Sequence, residues 1–302
     1  MTLFADSISG RKRRKQIFTL VGTLVVAAYI LAPIAWVIVS SFQKEVALEE
    51  RPPHFLPGPE ILTLSHYGFI FTGNVPKDAT IMIQAMYTMS GTFILPAIIN
   101  SIIIALFVTL VNVVLGLPAG HAFARYRFYG NRPVFLLLLA TRLLPAISII
   151  IPMYILLQQF NLLDTKRALV GIYSAITLPF TIWILKAYFQ NIPVEYEEAA
   201  RMDGCGYFRT LLRVVIPLAR PGIIAAAIFA FMTAYDEFVF ATVLTHTMTS
   251  KTQTVVIAAL AQGLSASRGL IAASAVVCLL PPVLLSLLLR KYVVQGLTAR
   301  FL

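Results

Sequence analysis

The sequence predicts an all-α, polytopic membrane protein with six transmembrane helices and both termini on the cytoplasmic side. Composition is the first reason: 59% of the 302 residues are hydrophobic and 12% are charged, whereas charged residues make up about a quarter of a soluble chain. The second is a set of runs without Lys, Arg, Asp or Glu. They lie between Lys15 and Lys44, Asp78 and Arg125, Arg142 and Asp164, Arg167 and Lys186, and Arg268 and Arg290. Each reaches or approaches the ~20 apolar residues that cross a bilayer core. A soluble protein buries one such helix, not a series of them. The third reason is the placement of the basic residues, which flank the apolar runs.

Taken in order, the spans fall at 17–42, 95–120, 134–160, 168–190, 218–243 and 268–290. Residues 1–16 form a basic cytoplasmic N-terminus. Its Arg11–Lys15 cluster before an apolar run looks like a secretory signal, but the run at 16–43 is too long and no small-x-small cleavage site closes it. It is read as an uncleaved first span, 17–42. Residues 43–94 form an external loop with short helical elements, rich in proline (Pro52, Pro53, Pro57, Pro59, Pro76). The stretch 79–124 is long enough for two spans, but two would move Arg125, Arg127 and Arg132 outside and invert everything after them. One span, preceded by a short packing helix at 79–92, keeps the charges consistent. A five-span core then occupies 95–290, followed by a cytoplasmic tail at 291–302. No internal repeat is evident.

With that arrangement sixteen Lys and Arg residues lie inside and seven outside, with Arg142 left within a span; this bias orients the chain. The net charge of +11 therefore reads as membrane orientation. It does not form the basic patch with interleaved aromatics of a nucleic-acid binder. Cys205 and Cys278 suit neither a disulfide nor a metal site, and His54, His66, His121 and His246 show no clustered spacing. No catalytic and no metal-binding residues are expected.

The longest polar stretch between spans on the cytoplasmic side is 191–217, NIPVEYEEAARMDGCGYFRTLLRVVIP. It reads as helix, turn, helix. Pro193 suits a first turn, and Glu195, Glu197 and Glu198 sit at the positive end of the helix dipole. Ala199 and Ala200 favour helix, and Gly204 supplies the stop. Arg209 and Arg213, four apart, share a face of the second helix, and Pro217 starts the next span. A short helix with acids at its start and a small-residue face fits a groove on a partner protein; capped helices for solubility are the competing explanation.

This loop resembles the EAA loop of ABC-importer permeases. That motif is E-A-A, three residues, G, nine residues, then I-x-L-P. Here Glu198-Ala199-Ala200 is followed by Gly204 and, after nine residues, by Val214-Val215-Ile216-Pro217. Valine replaces isoleucine, isoleucine replaces leucine, and Cys205 stands where alanine is commoner. The resemblance extends over nearly the whole chain and is specifically to the MalG-like, carbohydrate-importing branch. It is carried by LAPIAWVIVSSF (31–42), INSIIIALFVTLVNVVLGLPAGHAFARYRF (99–128) and TRLLPAISIIIPMYILLQQFNLLDT (141–165). LPFTIWILKAYFQNIPVEYEEAARMDG (178–204) and RKYVVQGLTA (290–299) add to it. Tyr235-Asp236-Glu237-Phe238 departs from the branch's usual W-N-E-F.

The resemblance implies a coupling helix seated in a cleft of a nucleotide-binding ATPase subunit, with Glu195, Glu198, Ala199, Ala200, Asp203, Gly204 and Pro217 as the coupling residues. The chain has no G-x-x-x-x-G-K-[ST] loop, so ATP and Mg would be used by a partner and no cofactor by this chain. The implied partners are two ATPase subunits, a second homologous permease and an extracytoplasmic solute-binding protein. The implied setting is a bacterial or archaeal cytoplasmic membrane, and the cargo a sugar, a di- or oligosaccharide. Import would proceed by alternating access, in which ATP binding and hydrolysis bias a bistable bundle.

Ionisable residues within spans invite functional readings: Arg142 in span three, and Asp236 and Glu237 in span five. They either line the pathway, with Arg142 paired to one of the acids, or snorkel to the surface. Sugars are held by aromatic faces and planar polar groups, so Tyr154, Gln158, Tyr173 and Tyr235 join them as pathway candidates. Asn100, Ser101 and Asn112 fit interhelical hydrogen bonding as well as substrate contact. Pro145, Pro152 and Pro179 read as kinks. The alternatives are the same machinery importing glycerol phosphate or another non-sugar solute, and a membrane-embedded enzyme.

Overall fold

The structure, a computed structural model, describes residues 3–52, 54–55, 57–75, 94–262 and 267–298, with side chains omitted for 3–13 and 290–298. The short helix expected at 79–92 lies outside the described residues. The chain divides into two units, residues 1–92 with 263–277, and residues 93–262 with 278–302.

The first unit begins with α1 (Leu3–Ser41). Its apolar side chains show no buried stripe: Phe18, Leu24 and Tyr29 are all more than half exposed. A helix apolar all round is at home in lipid. The chain then folds back through an antiparallel bridge between Gln43 and Leu62, with α2 (Glu45–Glu49) and α3 (Ser65–Thr72) on either side of the return. The buried Glu45 carboxylate accepts from the Ser267 hydroxyl at 2.7 Å and from the backbone N–H of Arg268 and Gly269 at 2.6 and 3.1 Å. It thereby caps the start of the last long helix, whose first turns belong to this unit.

The second unit is built on α4 (Ile94–Arg125) and α7 (Lys166–Asn191), crossed by α11 (Arg220–Tyr235). Gly116 and Gly120 form a small-xxx-small face that lets α4 approach α7 closely. A Cβ at Gly120 would lie 2.9 Å from the Leu185 Cβ and 3.2 Å from the Lys186 backbone nitrogen. Between these helices one apolar cluster gathers Ile104, Val108, Leu169, Tyr173, Phe231 and Tyr235. A second gathers Leu185, Phe189, Leu211, Val215 and Ala226. Asn100 donates to the Met248 and Lys251 carbonyls at 3.0 Å, the Ser101 hydroxyl accepts from the Gln253 N–H at 2.9 Å, and Asn112 donates to Thr177. Ser101 and Asn112 thus tie α4 to other helices, and Asn100 ties it to the turn at 248–251.

Among the described residues four helices are long and apolar enough to cross a membrane, and two bent helix pairs raise the number to six if each pair is one span. The first pair corrects span three. Instead of one helix over 134–160, α5 (Asn131–Ala140) and α6 (Ala146–Gln159) meet at 94°. Pro145 is the cause: it lacks an N–H and holds Leu144 in extended backbone (φ −70°, ψ 127°). Pro152 and Pro179, in contrast, sit inside continuous helices. The second correction concerns span five. It begins at Arg220, after an 82° bend from the helical segment before it, and Pro217 belongs to that preceding segment. It ends at Tyr235, and α12 (Val239–Leu244) starts anew beyond Asp236 and Glu237. Among the described residues there is no strand beyond the one isolated bridge.

Candidate functional site

The polar loop folds as α8 (Glu195–Met202), α9 (Tyr207–Thr210), a π turn at Leu211–Val215 and α10 (Ile216–Leu218). Pro193 precedes the helix, and Val194 caps it with αR backbone. The stop is a Schellman motif: the Cys205 N–H reaches the Ala200 carbonyl at 3.0 Å and the Gly204 N–H reaches the Arg201 carbonyl at 3.0 Å. This requires left-handed backbone at Gly204, which has φ +81°. A Cβ there would meet nothing within 4 Å, so dihedral preference alone selects glycine.

Helical spacing divides α8 into two faces. Glu195, Glu198, Ala199 and Met202 point outward, and Met202 is 88% exposed. Asp203 and Gly204 continue this surface, while Ala200 turns inward. Tyr207 and Phe208, 65% and 73% exposed, add aromatic area beside it. The result is an acidic rim around small and apolar residues, a shape that a partner's groove can take.

The inward face holds a residue that the sequence singled out only as an acid in the first turn. Glu197 is 4% exposed. Its carboxylate accepts from Arg125 Nε at 2.6 Å and faces His121 Nε2 at 3.2 Å. Arg125 also donates to the Ile192 carbonyl at 2.7 Å. The α8 helix is thus tied to the end of α4 by a buried charge network, so the two move together. Nothing in the local sequence distinguishes Glu197 from Glu195 and Glu198. The only signal available is helical phase, which sets Glu197 beside Ala200 and Arg201.

Three of the pathway candidates, Tyr154, Tyr173 and Tyr235, share one core cluster, and Arg142 stands apart from the acids. Arg142, exposed, sits in the short turn between α5 and α6 and donates to the Ile176 carbonyl at 3.1 Å. It lines a mostly apolar pocket of about 580 Å³ that Arg167 also borders. It is not paired with either acid. Glu237 instead accepts from the Phe240 and Ala241 backbone N–H groups at 3.0 and 3.2 Å, which caps α12 at the positive end of its dipole. Asp236 is exposed at the end of α11. Tyr173 and Tyr235, each 1% exposed, are packed in the core, and the Tyr235 hydroxyl donates to the Cys278 carbonyl at 3.0 Å. Tyr154 is half-buried against the same core and Gln158 is exposed.

An all-helical chain with unpaired apolar surface and a two-faced helix in its polar loop fits a multi-pass membrane transport subunit. The chain belongs to the family of binding-protein-dependent transport system inner membrane components, whose pattern matches residues 112–299. It is a permease subunit of the ABC-importer type. Over 290 residues it is 32% identical to the trehalose/maltose transport system permease protein MalG of Thermococcus litoralis, covering 94% of this chain and 96% of that one. It is also 32% identical over 289 residues to the trehalose transport system permease protein SugB of Mycobacterium tuberculosis, covering 95% and 97%. Its fold resembles a chain in the crystal structure of a bacterial ABC transporter involved in the import of the acidic polysaccharide alginate. The TM-score is 0.72 at 20% identity, with 93% and 98% coverage.

Proposed function

We propose that this permease translocates a di- or oligosaccharide delivered by an extracytoplasmic solute-binding protein, with both its termini on the cytoplasmic side of a bacterial or archaeal membrane. The end-to-end similarity to trehalose/maltose and trehalose permeases carries this reading. A second, homologous permease completes the pathway, and two ATPase subunits that use ATP and Mg drive it. Glu195, Glu198, Ala199, Ala200, Asp203 and Gly204 dock the ATPase, and Pro217 shapes the segment that leads on to α11. The outward face of α8, with its free carboxylates and exposed Met202, supports that docking.

Arg142, Tyr154, Gln158 and Asp236 are the pathway residues this reading retains at partly or fully exposed positions, with Tyr173, Tyr235 and Glu237 supporting them from inside the bundle. The domain boundaries follow the same topology: 1–16 and 291–302 inside, 43–94 outside, and 95–290 as the core with its coupling loop at 191–217. A second reading, import of glycerol phosphate or another non-sugar solute, draws on Arg142 and Arg167 at one pocket with no carboxylate among its lining residues.

The test is ATP-dependent uptake in proteoliposomes holding the chain with its companion permease, ATPase and binding protein. Uptake of labelled trehalose or maltose is expected. Uptake of glycerol 3-phosphate with no disaccharide uptake would replace the first reading by the second.

A further inference from the structure

We infer that a groove at the junction of α4, α5 and α7 with the loop helices is a binding site for the phosphate headgroup of an anionic phospholipid. The leaflet, the cytoplasmic one, rests on the topology proposed above. The groove encloses about 980 Å³. Five basic residues line it, Arg125, Arg127, Arg132, Lys186 and Arg201, against a single carboxylate, that of Glu197.

That carboxylate is already engaged by Arg125 and His121. Lys186 Nζ stands 3.5 Å over the Phe135 ring. Arg201 donates to the Glu197 backbone carbonyl at 3.2 Å, and its guanidinium lies 5.6 Å from the Tyr207 ring. Arg127 and Arg132 are exposed. Among the described residues none of these four cations has a carboxylate within ion-pair distance. A concave site with this excess of positive charge attracts an anion. Guanidinium forks fit phosphate oxygens bidentately.

The surroundings select a lipid over a soluble anion. Tyr126 and Tyr129 are exposed at the end of the apolar helices, where aromatic residues mark a membrane interface. From the groove, Leu136 and Leu137 carry an apolar surface up α5, 55% and 70% exposed, along which acyl chains can lie. Basic pockets between transmembrane helices at the cytoplasmic boundary are typical headgroup sites.

The groove also faces the side of α8 opposite to the proposed ATPase-docking face. Val194, Glu197 and Arg201 border it, while Glu195, Glu198, Ala199 and Met202 point away. A headgroup phosphate held between Arg132 at the start of α5 and Arg201 on α8 would leave Glu195, Glu198, Ala199 and Met202 clear for the ATPase, would share only Tyr207 with that surface, and would brace the coupling helix against the bundle.

The assembled transporter is taken from nanodiscs of phosphatidylcholine with added phosphatidylglycerol, and bound lipid is counted by native mass spectrometry. Wild type is expected to retain phosphatidylglycerol. The pair Arg127→Gln/Arg132→Gln is expected to lose it severalfold, and Arg127→Lys/Arg132→Lys to keep part of it. A photoactivatable phosphatidylglycerol on the wild-type complex, which needs no variant to fold, is expected to label peptides within 123–136 and 194–207. Equal retention by wild type and the glutamine pair, or labels only elsewhere, overturns the assignment. Displacement of the lipid by inorganic phosphate at low concentration overturns it in favour of a soluble-anion site. Cross-links from ATPase carboxylates to position 127 overturn it in favour of a protein contact. Sugar uptake is measured independently, so failure here leaves the permease reading standing.

Discussion

The Arg125 guanidinium and the Glu197 carboxylate meet at 2.6 Å with side chains 11% and 5% exposed, joining the last turn of α4 to the first turn of α8. A charge pair this buried transmits displacement well, because separating it leaves both charges desolvated. Removing one partner of such a pair costs about 3 kcal/mol. Glu197→Ala is therefore expected to lower the thermal midpoint of the purified complex and to reduce sugar transported per ATP hydrolysed. Glu195→Ala, on the outward face, is expected to leave the midpoint unchanged. Equal midpoints for the two variants would contradict the assignment of faces.

Gly204 holds φ +81° in open space. Gly204→Val places a β-branched residue in left-handed backbone at a cost of roughly 1–2 kcal/mol. The helix stop loosens and the outward face loses its fixed presentation. ATPase activity is expected to persist while transport falls, with Gly204→Asn milder, since asparagine tolerates this conformation. Normal transport by the valine variant would remove the coupling role from this turn.

The close approach of α4 to α7 sets a packing test. Gly120→Ala puts a methyl group 2.9 Å from the Leu185 Cβ, and Gly120→Leu adds bulk against backbone that cannot yield. Overpacking of this kind costs about 1–3 kcal/mol, so the midpoint in detergent is expected to fall in the order wild type, alanine, leucine. Gly171, where an added Cβ would meet nothing within 4 Å, is the control and is expected to accept alanine silently.

Asp164, at φ +58° in the turn between α6 and α7, ties down the turn after α12. Desolvation raises its pKa, but hydrogen bonds outweigh that, from the Ser250 and Thr247 hydroxyls and from the His246 and Thr247 N–H groups, and hold it well below the usual carboxylate range. A depressed pKa contributes stability that is present above the unfolded value, near about 4, and is lost only as pH falls through the folded one. Hydrogen exchange in 245–250 is thus expected to show no change in protection between about pH 5 and 8 beyond the intrinsic rate. Asp164→Ala is expected to raise exchange there at every pH in that range. A protection step near pH 6 would contradict it.

Much of this was legible from sequence because lipid imposes a coarse rule. Every backbone polar group in the hydrocarbon must be paired internally, so a charge-free apolar run reads directly as helix. The motif spacing at 198–217 likewise located the projecting loop. The kink read at Pro145 is present; what escaped was which prolines and acids interrupt their apolar runs. Pro145 breaks span three, whereas Pro152 and Pro179 do not break theirs, and the carboxylate of Glu237 starts a new helix instead of pairing with Arg142. Both outcomes are settled by nearby backbone: Pro145 lacks an N–H and holds Leu144 extended, and Glu237 takes the Phe240 and Ala241 N–H groups three and four residues on.

The three glutamates of the loop mark the same boundary. Composition and spacing establish a membrane protein and a helix with acids at its positive end. Whether a given carboxylate faces a partner or the bundle depends on how α8 is rotated against α4, and that rotation is decided by His121 and Arg125, more than seventy positions away. Local sequence encodes the period of a helix, but its phase is chosen by what it packs against.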